Sequence, residues 1–246
     1  MGEDFGNYQF SNDEALMQLV SSANIACGFH AGDASVMQRT VALALKYNVA
    51  IGAHPGLPDL QGFGRRNMAI SANEVYQITL YQVGALSAFV KAAGTTLNHV
   101  KPHGALYNMA AEKAELADAI AQAIADFDSS LIFYGLANSK MVAAASRYHI
   151  NFAAEAFADR TYTEQGLLTP RSEANALIDS AEQSTRQVIL IVQNGSVQTS
   201  NGATIQLHAD TICIHGDGKH AATFAKRIRE EVQASGIKIQ SPQFSK

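Results

Sequence analysis

The segment Ala23-Asn24-Ile25-Ala26-Cys27-Gly28, which continues as Phe29-His30-Ala31-Gly32-Asp33, is the clearest structural signal in this chain. Its first half is a short apolar run that predicts a buried strand. Asp33 is a residue type that caps helix N-termini. Apolar residues recur after it at helical spacing, at Val36, Met37, Val41, Ala44 and Leu45. The segment therefore predicts one β/α unit.

The same alternation of apolar run, polar turn and amphipathic helix continues along most of the chain. Further strands are predicted at Val49 to Ala53, Leu97 to Lys101, Leu131 to Leu136, Phe152 to Ala158 and Thr211 to Ile214. Ser71-Ala72-Asn73-Glu74 is a capping box that opens a long helix. Near-continuous apolar strands that alternate with helices are typical of a parallel sheet, either doubly wound or closed as a barrel.

The C-terminal third of the chain is less regular. Apolar spacing from Ala174 to Ala181 indicates a helix, whereas Val188 to Val192 is β-branched enough to be a strand, so that segment stays open. Asn194-Gly195 and Asn201-Gly202 bracket a predicted hairpin. No linker composition divides the chain, which predicts a single domain over residues 1–246.

Composition and charge exclude several classes of protein. Hydrophobic residues make up 47% and charged residues 16%, which excludes a disordered chain. The net charge of −4 and the lack of a Lys/Arg block argue against a nucleic-acid partner. The longest apolar stretches, of about five residues, are far too short to cross a membrane. The acidic start has no signal-peptide pattern, so we expect a cytoplasmic protein.

Polar residues follow five predicted strands at their C-terminal ends. They are Asn24 to His30 with Asp33, His54, Lys101 with His103, Glu155 with Asp159 and Arg160, and His215 with Asp217. Five strands that converge on one face favour a barrel over a doubly wound sheet, which has a single crevice. Glycines flank the histidines of these clusters, and glycine lets a ligand approach the backbone. Arg65, Arg66 and Arg160 indicate an anionic substrate.

The string His99-Val100-Lys101-Pro102-His103 has the spacing of two metal ligands on a helix. Pro102 argues against a helix there. In a strand the two histidines lie roughly 13 Å apart, at about 3.3 Å per residue, which is too far to share one ion. We therefore reject His99 and His103 as a zinc pair and assign no metal ligand. Alternation instead places Lys101 and His103 on one face, towards the site.

The chain closely resembles the LamB/YcsF family in five strings that occur in order and at similar spacing. They are Val20 to Asp33, Ile51 to Gly56, His99 to Asn108, Glu155 to Arg160 and Cys213 to Asp217. The resemblance implies a TIM-like (β/α) barrel of the seven-stranded type found in the glycoside hydrolase and deacetylase superfamily. It also implies one subunit of an ATP-dependent 5-oxoprolinase, a hydrolase that converts 5-oxo-L-proline to L-glutamate with separate B and C subunits.

The start of the chain departs from the family pattern. Family members open with an Asp-Leu-Asn-x-Asp-x-Gly-Glu segment that forms the first barrel strand, whereas this chain begins Met1-Gly2-Glu3-Asp4. We therefore expect the first strand to be missing, and Ala23 to Gly28 to border an open seam. The acidic residues of that strand, which are natural metal ligands in related deacetylases, are absent as well.

The implied reaction assigns roles to the polar residues. ATP, with Mg²⁺ and bound in part through partner subunits, would phosphorylate the lactam oxygen before water attacks. Lys101 or Arg160 would bind anionic groups, and Asp217 or Asp159 would activate water. His103 and His215 would transfer protons. Substrate binding is assigned to Asn24, His30, His54, Glu155 and Arg160.

Two alternative functions stay open at this stage. The histidine-rich strand ends also fit a stand-alone metal-dependent deacetylase or amidohydrolase that acts on a small amide or sugar. A noncatalytic scaffold that binds a carbohydrate or a lactam is the other alternative. The sequence has no Walker or Rossmann glycine loop, so where ATP binds is left undecided.

Overall fold

A computed structural model of the chain describes residues 1–8, 12–218 and 221–244. The strands are β1 (Ser22–Ala26), β2 (Ala50–His54), β3 (His99–Val100), β4 (Ile132–Leu136), β5 (Asn151–Phe157), β6 (Ser196–Gln198), β7 (Thr204–Gln206) and β8 (Thr211–Cys213). Six of them form one parallel sheet in the order β1-β2-β3-β4-β5-β8. The other two, β6 and β7, form the predicted hairpin as an antiparallel pair.

Helices connect the parallel strands. They are α1 (Asp13–Met17), α2 (Ala34–Lys46), α3 (Ala72–Ala92), α4 (Gly104–Glu112), α5 (Ala114–Asp128), α6 (Lys140–Arg147), α7 (Ala181–Asn194) and α8 (Ala221–Ala234). Within the described ranges, none of these helices combines the length and apolar character needed to cross a bilayer. Asn24 of β1 and Cys213 of β8 line the same cavity, so the sheet is curled. The α/β class and a barrel-like curvature are confirmed, while the seven-strand type stays a prediction.

The predicted helix starts have the expected caps. Asp33 Oδ1 accepts a hydrogen bond from Val36 N at 2.9 Å, and Oδ2 accepts one from Gly6 N at 2.8 Å. These backbone donors lower the pKa of Asp33 to about 2. Ser71 and Glu74 form the predicted capping box at the start of α3. The first helices therefore begin where the sequence pattern places them.

Residues 188–192, for which the sequence favours neither a helix nor a strand, are part of α7. Ser180 caps this helix by accepting a hydrogen bond from Gln183 N, and Gly195 ends it in a left-handed conformation at φ 61°. Val188 and Ile191 are buried at helical spacing, which outweighs their β-branched propensity. The helix predicted from Ala174 to Ala181 is wrong up to residue 180, since α7 begins only at Ala181. That stretch is irregular, and the Arg160 guanidinium donates to the Ala176 carbonyl within it.

The N-terminal segment lies along the outer edge of β1. Met1 N donates to the Asn24 carbonyl at 3.1 Å, and the Met1 carbonyl accepts from Ala26 N at 3.0 Å. This exchange is the hydrogen-bond pattern of a parallel ladder. Arg229 of α8 donates to the Leu19 carbonyl at 3.1 Å, between the two edges of the sheet. The seam predicted beside β1 is thus partly covered, and the loss of a first strand stays a prediction.

Candidate active site

A cavity of about 800 Å³ opens at the C-terminal ends of the parallel strands. Eight of the ten residues predicted for the site line it: Asn24, His54, Lys101, His103, Glu155, Arg160, His215 and Asp217. The other two, His30 and Asp159, lie behind the wall and contact lining residues. The fold therefore brings the predicted side chains together from five separate strand ends.

His215 and Asp159 form a hydrogen-bonded pair at the ends of β8 and β5. His215 Nδ1 lies 2.9 Å from Oδ1 and 2.8 Å from Oδ2 of Asp159. Burial raises the pKa of Asp159, but the nearby His215 outweighs that effect and the pKa is lowered. The carboxylate accepts a hydrogen bond from Nδ1–H of the neutral His215 ring, and the ring lone pair is then on Nε2. The pair therefore has the arrangement of an oriented general base.

Asp217 is held by Arg65, which comes from the loop between β2 and α3. Arg65 Nη2 donates to Asp217 Oδ2 at 2.7 Å, and both side chains are partly exposed in the cavity. Burial raises the pKa of Asp217, but the Arg65 cation outweighs it and lowers the pKa. Arg66 pairs with Asp59 and does not line the cavity. Of the two neighbouring arginines, only Arg65 can meet a ligand there.

Lys101 and Glu155 form a buried ion pair in the curled sheet. Lys101 Nζ lies 2.7 Å from Glu155 Oε1, and Tyr107 donates to Glu155 Oε2 at 2.8 Å. Burial lowers the pKa of Lys101, but its partners outweigh burial and raise it. Lys101 Nζ also donates to Cys213 Sγ at 3.0 Å. Burial raises the pKa of that thiol to about 12, so Glu155 and not Cys213 supplies the negative charge. The Lys101 charge is therefore neutralised inside the protein, and less of it is available to an anionic ligand.

Arg160 has a structural contact that competes with its predicted role in anion binding. Its guanidinium donates to the Thr169 carbonyl at 2.5 Å and to the Ala176 carbonyl at 3.2 Å. These bonds hold the irregular segment that follows β5. Burial lowers the pKa of Arg160 to about 10, so the group stays cationic at neutral pH. Arg160 lines the cavity, but two of its N–H groups are already used.

Asn24 and His99 form a second polar group, inside the sheet. His99 Nε2 lies 2.9 Å from Asn24 Oδ1, and the ring stacks on Tyr134 at 3.9 Å. A Cβ added at Gly52 would overlap the His99 ring, and one added at Gly56 would lie 2.5 Å from His30 Nδ1. The space at these glycines is therefore filled by imidazole rings. The expectation that a ligand approaches the backbone there is wrong.

Three histidine side chains lie together at the cavity wall. His54 and His103 line the cavity, and His30 is fully buried behind them. His54 Nε2 lies 3.0 Å from His103 Nδ1, and the rings of His30 and His103 stack at 3.7 Å. Burial holds the pKa of His30 and of His54 well below the usual value, and lowers that of His103 to about 3. All three rings are therefore neutral at physiological pH.

Sequence reasoning missed two residues of this region. Glu3 lies with the three histidines, and the chain reaches that place only because Met1 pairs with β1. Tyr107, one helical turn into α4, holds the Glu155 carboxylate. Tyr107 lies in the family-like string that starts at His99, but nothing in that string indicates that it binds Glu155. Glu3 belongs to the Gly-Glu end of the family's opening segment, but its partners lie far away in the sequence, so its place beside the histidines is not visible there.

Comparison with known proteins identifies the protein family of this chain. A profile of the LamB/YcsF family matches residues 1–246. The chain belongs to the LamB/YcsF family. The resemblance predicted from the five strings is thereby confirmed over the whole chain, and those strings carry all eight predicted residues that line the cavity.

Named relatives and one solved structure agree with membership of the LamB/YcsF family. The chain is 56% identical over 243 residues to the 5-oxoprolinase A subunit of Bacillus cereus (strain 03BB102), covering 98% of this chain and 96% of the relative. It is 56% identical over 239 residues to the 5-oxoprolinase A subunit of Bacillus subtilis (strain 168), covering 97% and 93%. The lactam utilization protein from Thermus thermophilus has a similar fold, with a TM-score of 0.93, 42% identity and coverage of 98% and 97%.

Proposed function

We propose that this LamB/YcsF protein is the A subunit of a 5-oxoprolinase and hydrolyses 5-oxo-L-proline to L-glutamate with cleavage of ATP. The observation that carries the proposal is the identity of 56%, over 243 residues, with a protein named as the A subunit of 5-oxoprolinase. Such a name implies an assembly, and we propose that the partners are the B and C subunits. The geometry of the cavity supports hydrolysis of a small anionic amide.

Two guanidinium groups at the cavity suit the carboxylate of 5-oxoproline. Arg65 and Arg171 both line the cavity. Burial is the larger of two effects that lower the pKa of Arg171, and the nearby positive charge of Arg65 is the smaller one. An anion placed between two such cations relieves their repulsion, and guanidinium groups bind carboxylates through paired N–H donors. We therefore assign substrate anchoring to Arg65 and Arg171, in preference to the loop-bound Arg160.

The reaction needs activation because the ring nitrogen of a lactam is a poor leaving group. Transfer of the terminal phosphoryl group of ATP to the lactam oxygen makes the carbonyl carbon electrophilic. Water adds to that carbon, the ring C–N bond breaks, and a proton goes to the nitrogen, which leaves an acyl phosphate. A second water then releases phosphate and glutamate. ATP and its Mg²⁺ act here as co-substrate, and we propose that partner subunits hold much of the nucleotide.

His215 is the best-placed group to accept a proton from the attacking water. Asp159 orients the ring through Nδ1, Nε2 keeps its lone pair, and His215 lines the cavity. His103 is less suitable, because its Nε2 lies 2.7 Å from the Phe63 carbonyl and its Nδ1 lies beside His54. A general base contributes roughly 10²–10⁴ to the rate. We therefore assign proton transfer to His215.

The test is reconstitution of the full chain with its separately purified partner subunits. Glutamate formation from 5-oxoproline should require ATP and this chain, and His215→Gln should lower kcat by about 10²-fold or more. His149→Asn is the matched control, because His149 is exposed and its positive φ of 54° suits asparagine. Turnover by the isolated chain without ATP would instead favour the stand-alone amidohydrolase. No glutamate from any combination would reject the proposal.

A further inference from the structure

Four potential metal-binding side chains converge at the wall of the cavity. Glu3, His30, His54 and His103 each offer one ligand atom, and these atoms all lie within 4.8 Å of one another. They come from the N-terminal segment and from the ends of three different strands or loops. Side chains that converge from such distant parts of a chain form a site only because the fold places them together.

The hydrogen bonds of two of these histidines fix which nitrogens carry protons. His54 Nδ1 lies 2.7 Å from the Lys101 carbonyl, and His103 Nε2 lies 2.7 Å from the Phe63 carbonyl. A carbonyl oxygen only accepts, so both of these nitrogens must carry the proton of a neutral ring. The remaining nitrogens, His54 Nε2 and His103 Nδ1, then both present lone pairs, and they face each other at 3.0 Å.

Two lone pairs at this distance repel unless a cation lies between them. A metal ion supplies the positive charge without protonating either ring. The two carbonyl contacts also match the usual support of a ligating histidine, whose second nitrogen donates to a fixed acceptor.

His30 provides an independent observation. Its side chain is fully buried, and neither ring nitrogen has a hydrogen-bond partner among the described residues. Buried polar atoms in proteins are nearly always paired. The ring stacks on His103, and one of its nitrogens lies within 4.8 Å of the ligand atoms of the other two histidines. A bound ion would give this buried imidazole a partner.

We propose that Glu3, His30, His54 and His103 bind one divalent first-row transition-metal ion, with Zn²⁺ as the first candidate. Three imidazoles favour such an ion over Mg²⁺ or Ca²⁺, which prefer oxygen ligands. The four tetrahedral ligands of a zinc ion, each about 2.1 Å from it, lie about 3.4 Å from one another. The four atoms therefore need only small movements to share one ion.

The position of the site gives the ion access to the cavity. Glu3, His54 and His103 line the cavity, whereas His30 closes the site from behind. An ion held there can polarise a carbonyl oxygen or a water in the cavity. This role rests on the proposed function, but the metal site itself does not. Ligation by Glu3 would also fix the N-terminal segment against the histidine-bearing loops.

The experiment measures metal binding by the untagged full chain, without partner subunits or ATP. The chain is stripped with a chelator, titrated with Zn²⁺ against a chromophoric competitor, and analysed for metal content. Co²⁺ loading gives a visible absorption band whose intensity reports coordination. We expect one Zn²⁺ per chain and a Kd that rises at least about tenfold in both Glu3→Gln and His30→Gln. His149→Asn, at an exposed histidine, should bind as the unmodified chain does.

Each outcome decides the proposal. Absence of uptake, or equal affinity of the unmodified chain and both ligand variants, would overturn it. If His30→Gln fails to fold, as judged by circular dichroism, Glu3→Gln still decides, because the Glu3 side chain is near the surface at 14% exposure. Zinc binding without 5-oxoproline turnover in the reconstituted complex would reject the proposed function and leave the metal site supported.

Discussion

Asp159 Oδ2 lies 2.8 Å from His215 Nδ1, and this contact joins the ends of two neighbouring parallel strands. Asp159 also accepts a hydrogen bond from the His215 backbone N at 3.3 Å. The carboxylate therefore fixes both the position of the residue and the tautomer of its ring. A carboxylate in this position stabilises the imidazolium that forms when the ring takes a proton.

Asp159→Asn should lower the kcat of the reconstituted complex by about 10²-fold or more, with a smaller change in KM, since the base loses its orientation. Steady-state kinetics at saturating ATP measures both constants. Asp118→Asn is the control, because Asp118 pairs with Arg147 on the surface, away from the cavity. An unchanged kcat in Asp159→Asn would show that His215 does not act as the base.

Lys101→Met should destabilise the protein by about 3–5 kcal/mol, because it leaves the Glu155 carboxylate buried without its cation. The double variant Lys101→Met/Glu155→Leu should recover part of that loss. Urea unfolding measures both changes. Lys46→Met is the control, since the Lys46–Glu14 pair is exposed to solvent and its loss should cost far less stability. Equal losses in Lys101→Met and Lys46→Met would contradict a buried ion pair.

Gly52→Ala should lower the free energy of unfolding by about 1–3 kcal/mol, because a Cβ at this position would overlap the His99 ring. Gly84→Ala is a matched control in the interior of α3, where an added Cβ meets nothing within 4 Å. It should stabilise the helix by about 0.5–1 kcal/mol. The midpoint temperatures of thermal unfolding of the two variants should therefore shift in opposite directions. A Gly52→Ala variant as stable as the unmodified protein would show that His99 can leave its place against β2.

Stability should fall as the pH drops from about 6.5 towards 3. Burial lowers the pKa of His99 to about 3, whereas an unfolded histidine titrates near 6.5. Between these values the unfolded chain binds a proton that the folded chain does not, so acid favours unfolding by about 1.4 kcal/mol per pH unit for this histidine. His99→Gln should reduce the slope by that amount in urea unfolding at about pH 6, 5 and 4. Identical slopes would mean that His99 is protonated in the folded protein.

The fold was largely predictable because its signals are local. Apolar runs such as Ile132–Leu136 and the capping box at Ser71 depend on neighbours within a few residues. The sequence does not decide the structure of α7, because its β-branched residues from Val188 to Val192 favour a strand, whereas burial in the folded protein favours a helix. The helix predicted from Ala174 to Ala181 is wrong up to residue 180, because the course of that segment depends on Arg160, whose bonds to it are not visible in the sequence.

The sequence predicts which residues form the site, but not which of their side chains pair with one another. Position after a strand was enough to place His54, Lys101 and His215 at one face. Their pairing depends on distant residues, as when Lys101 is neutralised by Glu155 and His103 lies against His54 and His30. Spacing along the chain holds no information on such contacts, so charge state and available lone pairs had to come from the structure.

The ratio of glutamate to ADP formed by the complex reconstituted from this chain and its partner subunits is the decisive quantity for the proposed activity. We expect equal amounts of the two products from 5-oxoproline and ATP, with formation of glutamate lost when this chain is omitted. Glutamate formed equally well without this chain, or formed by this chain in the absence of ATP, would contradict coupled hydrolysis at the cavity of this protein.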